Sequence, residues 1–236
     1  MPHPKLRTAF GPPGTRDSLP KTLLKNFAKC LEHYNELRRF KKKDRRDVAY
    51  WYGERTLTGL LSGALWRMKG ERWALEEFKS RRKVGRRKKG GRGDLWFGLS
   101  HRESYTLEAK LYEESGQSIL RDKIENRLVR NTQAKMEKAF RQLAELQPIY
   151  RVGKPMAACF TVPYFEEKCT ELDEVENFFR RVARSTCWKR RETMVGAFWY
   201  ANGGLRYLDK AHPAKYYLAP GVIVVLQWQK KFSPKR

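Results

Sequence analysis

The 236-residue chain carries 51 Lys and Arg against 26 Asp and Glu, a formal net charge of +25. Self-repulsion on that scale works against a compact state and points to a polyanionic partner, while an aromatic share of 13% with seven Trp favours a folded protein over a disordered basic tail. No apolar run approaches the roughly 18 residues that a membrane span needs.

The N-terminal stretch MPHPKLRTAFGPPG lacks a signal-peptide apolar core, so an intracellular location is expected. Cys30, Cys159, Cys169 and Cys187, with His3, His33, His101 and His212, show no zinc spacing. They read as reduced and mostly buried thiols. Residues 1–20 hold five prolines and two glycines, which suggests a flexible Pro-rich, basic arm.

From Lys21 to Phe40, Leu23, Phe27, Leu31 and Tyr34 recur at helical spacing. Residues 38–46 form a basic connection. A second helix is expected over Asp47–Met68, with Leu57, Leu61, Ala64, Leu65 and Met68 as its apolar stripe. Glu54 falls on that stripe, where a carboxylate is costly unless paired or metal-bound. A pairing with Arg55 or a nearby Lys remains open. A short helix is expected over Glu71–Phe78, so residues 21–78 read as an N-terminal helical part.

Residues 79–92 read KSRRKVGRRKKGGR, nine of fourteen basic and three Gly. The tract reads as a mobile loop whose Lys79, Arg81, Arg82, Lys83, Arg86, Arg87, Lys88, Lys89 and Arg92 would contact phosphates by counterion release. A localisation signal or a merely solvated tract is the alternative.

The most informative stretch is GDLWFGLSHRESYTLEAKLY, residues 93–112. Side chains alternate along a strand, so Leu95, Phe97 and Leu99 share one face of a first strand. Leu107, Ala109 and Leu111 share one face of a second. Thr106, Glu108 and Lys110 take the opposite face, and residues 100–104 make a connection of hairpin length. Folding back brings Asp94 near Glu108. Mg²⁺ prefers oxygen ligands and usually takes one or two protein carboxylates, which Asp94 and Glu108 supply. The Ala109 carbonyl offers a third oxygen. Lys110 is then a fixed positive charge for an attacking water or for developing negative charge. The competing reading is a surface hairpin with a Glu–Lys pair on its solvent face.

Gly93-Asp94, thirteen residues, then Glu108-Ala109-Lys110 resembles the restriction-endonuclease-like PD-(D/E)XK nuclease superfamily. Two other Glu-x-Lys triplets, Glu77-Phe78-Lys79 and Glu166-Glu167-Lys168, lack a preceding Gly-Asp strand. The resemblance implies metal binding by Asp94 and Glu108 and water orientation by Lys110. It also implies a helix Glu before the nuclease strands that helps bind metal. Glu54 is the candidate, with Glu71 and Glu76 as alternatives.

Downstream, a long helix is expected over Gln117–Leu146, ended by Pro148, with Gln133 as a polar candidate facing the cleft. Met156–Phe165 reads as a strand and Asp173–Ser185 as a helix with an Asp cap. Met194–Ala201, the turn Asn202-Gly203-Gly204 and Leu205–Leu208 read as a hairpin, and Val222–Trp228 as a last strand. The expected class is therefore α/β: a restriction-endonuclease-like mixed sheet flanked by helices, with N-terminal helices and extra C-terminal strands, the core spanning residues 93–236. The order matches most of an αβββαβ core, with the strand before Asp94 not visible unless it lies near residues 81–84.

These features together predict a Mg²⁺-dependent DNA endonuclease, with Mn²⁺ able to substitute, in a setting such as restriction, antiviral defence or phage recombination. Such enzymes commonly act as homodimers. A non-catalytic nucleic-acid binder and a ribonuclease on the same fold are the alternatives.

Overall fold

A computed structural model describes residues 6–11, 18–37, 49–70, 72–84, 87–100, 103–116, 123–146, 153–166, 171–185, 187–188, 192–200, 205–208 and 216–229. Its centre is a nine-stranded mixed sheet. The strands are β1 (Leu6–Gly11), β2 (Trp73–Val84), β3 (Arg87–Ser100), β4 (Glu103–Gly116), β5 (Lys154–Glu166), β6 (Thr193–Tyr200), β7 (Leu205–Leu208), β8 (Tyr216–Ala219) and β9 (Gly221–Trp228). The helices are α1 (Ser18–Leu37), α2 (Glu54–Trp66), α3 (Lys123–Glu145) and α4 (Leu172–Arg184).

The sheet order is β1-β6-β9-β5-β4-β3-β2, with β8 pairing β5 and β7 at one side. Among the described residues only β4 and β5 run parallel, and α3 lies in the crossover between them. The other pairs are antiparallel.

Period-two alternation divides the core into two layers. Met156, Ala158, Phe160 and Val162 of β5 pack with Leu107 and Ala109 of β4 and with Leu23, Phe27, Leu57 and Leu61 of α1 and α2. Ala157 and Cys159 of β5 face the other way, onto Leu128 and Met136 of α3 and Phe178 and Val182 of α4. Helices thus cover both faces of the sheet, as a buried parallel pair requires.

Several expectations give way. Residues 6–11, expected in a flexible arm, form an edge strand with all six residues in register with β6. The expected helix Asp47–Met68 is interrupted: a 3₁₀ turn, Ala49–Tyr52, stops at Gly53 (φ 88°), and α2 starts at Glu54. The expected helix over 71–78 is strand β2 from Trp73 onward, with Glu71 outside the described residues. Here the segment pairs with the edge of β3 that faces away from β4, and that pairing overrides the helix propensity of Ala-Leu-Glu-Glu.

The basic tract 79–92 is likewise not a loop. Its backbone continues the β2–β3 ladder through Lys79↔Arg92 to Val84↔Arg87, with residues 85–86, including Arg86, outside the described set. β2 is therefore the strand missing before Asp94.

Helix α4 opens at Glu171, without a side-chain cap, and Asp173 lies in its first turn. Residues 201–204 are outside the described residues, and β6 pairs with β1 and β9 whereas β7 pairs with β8. Among the described residues β6 and β7 do not pair with each other. The basic connection 38–46 and residues 117–122 of the expected long helix also lie outside the described residues. The expected strands at 156–165 and 222–228 are present as β5 and β9, and β9 sits in the middle of the sheet.

Gly153 immediately precedes β5 with φ 78°, and a Cβ there would overlap the Ser104 carbonyl of β4. Gly153→Ala should therefore lower stability by roughly 1–3 kcal/mol, read as a drop in the urea midpoint. An unchanged midpoint would show that this close approach does not set the β4–β5 register.

Candidate active site

The site grows from a fork in the sheet. β3 and β4 pair only from Leu95↔Leu107 to Ser100↔Glu103. Beyond Leu95, β3 stays with β2 and β4 stays with β5 along the rest of their lengths. The two pairs separate, and the main-chain groups of β4 that face β3 lose their ladder partners at Ala109 and Leu111. Buried N–H groups must be satisfied somewhere.

Two carboxylates do this. The Ala109 N–H donates to Asp94 Oδ2 at 2.7 Å. The Leu111 N–H donates to Glu54 Oε2 at 2.8 Å, across 57 residues of sequence. Asp94 is placed there because it is the first β3 residue past the fork. Glu54 is placed because Gly53 ends the 3₁₀ turn and starts α2 at that residue. A carboxylate in the first turn of a helix is also favoured by the helix dipole.

Glu108 and Lys110 stand on the sheet face that α3 covers. Glu108 is 3% exposed, so the reading of a solvent-facing Glu–Lys pair does not hold. Lys110 Nζ donates to Glu108 Oε1 at 3.1 Å, and the side chains are 14% and 4% exposed. The same ammonium donates to the Ala109 carbonyl. Glu108 Oε1 and Ala109 O, two of the three oxygens expected to hold a metal, therefore already converge on one cation.

The structure thus sets Asp94 and Glu54 on the backbone of the β4 segment that carries Glu108, Ala109 and Lys110. Of the alternatives to Glu54, Glu76 is exposed beside Gly59 of α2, and Glu71 is outside the described residues. Glu77, of the first extra Glu-x-Lys triplet, binds Arg55 Nε at 3.0 Å. Its φ of 46° is the one positive value at a described non-glycine residue. Of the second triplet, Glu166 closes β5 while residues 167 and 168 lie outside the described residues. Gln133 does not face this site. Its amide donates to the Cys187 carbonyl at 3.0 Å, and it lines a separate cavity with Met136, Trp188 and Gln227.

Sequence reasoning missed the α3 wall. Asn131 Nδ2 donates to the Tyr112 hydroxyl at 2.6 Å, and Lys135 Nζ lies 6.0 Å from the Tyr112 ring centroid. The signal was present: Tyr112 follows Lys110 by two residues on the same face, and Asn131 and Lys135 are one helical turn apart.

Among the described residues no three His, Cys, Asp or Glu side chains cluster as a metal site by themselves. The donor set that suits a hard cation here is two carboxylates, Asp94 and Glu108, with the Ala109 carbonyl. Burial pushes Cys159 up to about 12 and raises Cys30 too, so neither supplies a thiolate near neutral pH. Cys187 is exposed, and Cys169 lies outside the described residues.

No family model matches the chain, no curated protein matches it and no solved structure matches it. No helix among the described residues is long and apolar enough to cross a membrane.

Removing one partner of a buried ion pair leaves an uncompensated charge. Lys110→Met should cost about 3 kcal/mol in urea unfolding. Adding Glu108→Gln to that variant should restore at least about half of the loss, because the stranded charge is gone. Equal instability of the single and double variants would show that the two groups are not coupled.

Proposed function

We propose that the chain is a divalent-metal-dependent nuclease that hydrolyses DNA phosphodiesters, on a restriction-endonuclease-like fold. The observation that carries this reading is the fork, where Asp94 and Glu54 accept from the Ala109 and Leu111 N–H groups of the same β4 segment that bears the Glu108–Lys110 pair. The run α2-β2-β3-β4-α3-β5 also has the αβββαβ order that the Asp…Glu-x-Lys resemblance implies. The strand that the sequence left out of sight is β2.

In this reading Asp94, Glu108 and the Ala109 carbonyl hold Mg²⁺, with Mn²⁺ able to replace it, and Glu54 borders the same site. The ion, when bound, polarises the phosphate and makes hydroxide available from water. The rest is the work of the chain. Glu108 fixes the Lys110 ammonium, so its charge is already oriented where negative charge develops, without reorganisation during the reaction. Tyr112, held by Asn131, walls the site on the α3 side. The basic residues of β2 and β3 hold the phosphate backbone.

The test is plasmid nicking with Mg²⁺ or Mn²⁺. Asp94→Ala and Lys110→Ala should each lower the rate by roughly 100-fold or more. Glu108→Gln should abolish cutting while DNA affinity stays the same or rises, since a negative charge facing phosphate is lost. A wild-type chain that binds DNA and never cuts it with either metal would leave only a basic binder. Parallel digestion of RNA separates a ribonuclease from a deoxyribonuclease.

Neutralising Lys79, Arg82, Lys89 and Arg92 should flatten the plot of log affinity against log salt by up to about 3–4 units, at ~0.9 per phosphate contact. An unchanged slope would place the phosphate contacts elsewhere.

A further inference from the structure

The β2–β3 ladder continues after β4 has left it. Seven register pairs, from Phe78↔Gly93 to Val84↔Arg87, lie past the fork. At ~3.4 Å per residue they make a two-stranded ribbon roughly 20 Å long. β2 ends the sheet and β4 pairs with β5, so along this stretch neither ribbon edge has a third strand among the described residues.

The register of this ribbon works against it. Lys79 stands opposite Arg92, Arg82 opposite Lys89 and Lys83 opposite Lys88. Like charges directly opposite one another are destabilising, and no acidic residue occurs from Lys79 to Arg92. Gly90 and Gly91 weaken the strand further but let another molecule's backbone approach closely. A two-stranded ribbon is marginal in water even without this repulsion. A polyanion lying along it would remove the penalty.

Shape then selects among polyanions. The major groove of B-form DNA, about 12 Å wide and 8.5 Å deep, admits a two-stranded β-ribbon. The deep, narrow major groove of A-form RNA does not, and a single strand has no groove.

We propose that the β2–β3 ribbon docks in the major groove of B-form DNA, making duplex DNA the form that this chain engages. The ribbon's root is Asp94, so the docked duplex lies with its backbone at the fork. That last step rests on the nuclease reading, whereas the docking does not.

The test is a binding measurement, so that the two readings fail separately. Full-length chain carrying Glu108→Gln, with no divalent metal, is titrated against a 20-base-pair DNA duplex, the same sequence as single strand, and the matching RNA duplex, at one salt concentration. The DNA duplex should bind at least about tenfold tighter than either alternative, beyond the shared backbone electrostatics. Guanine N7, which faces the major groove, should be protected from methylation.

A shortened ribbon, with residues 82–89 replaced by Asn-Gly to close the ladder at Arg81↔Gly90, should lose both the preference and the protection. Lys83→Ser with Lys88→Ser keeps the ribbon's length and should weaken both in the same direction. Equal affinity for the three nucleic acids, a preference that survives both variants, or N7 that stays reactive would each overturn the proposal. A wild-type chain that cuts DNA without preferring duplex would sink the ribbon and leave the fork standing. Duplex preference without cutting would do the reverse.

Discussion

The hydrogen-bonding demand of β4 past Leu107 organises this molecule. A strand shared between two neighbours satisfies its backbone on both sides, but β4 keeps only β5 there. Two N–H groups, on Ala109 and Leu111, then require acceptors, and the acceptors are the carboxylates of Asp94 and Glu54. A bond of this kind contributes about 1.5–3 kcal/mol when the acceptor is charged. Its greater effect is geometric. The same bonds that make the split sheet tolerable draw two acidic residues, distant in sequence, to the edge where Glu108 and Lys110 stand. Fold and site share one cause.

The charge distribution has a related logic. The buried Glu108–Lys110 pair is tolerable because each group meets the other and Lys110 also meets a carbonyl. In the β2–β3 register, by contrast, Lys and Arg positions stand opposite one another. The sequence from Lys79 to Arg92 holds no acidic residue to offset them. A polyanion drawn to that ribbon would meet the acidic fork at its root.

Local reasoning failed where a strand's partner is far away in sequence. Residues 73–78 favour a helix by composition, yet they pair with β3, whose edge away from β4 would otherwise be open. Residues 79–92 have no apolar pattern at all, and only continuation of that ladder makes them strands. Asn202-Gly203 suggested a local hairpin, whereas β6 lies between β1 and β9 from the two ends of the chain. Conversely, β5 and β9 were legible because long apolar, β-branched runs have little other place to go. The helix α3 was legible because its stripe persists over several turns.

The sequence by itself determined the alternation of the 93–112 hairpin, the shared face of Glu108 and Lys110, and the excess of positive charge, because each depends only on residue type and a period of two. It did not reveal that β3 and β4 part after Leu95, that Glu54 reaches Leu111, or that Asn131 and Lys135 wall the site beside Tyr112. Those depend on which strands share edges and on how α2 and α3 cross the sheet. Such contacts link residues 15 to 57 positions apart, and a local period carries no information over that separation.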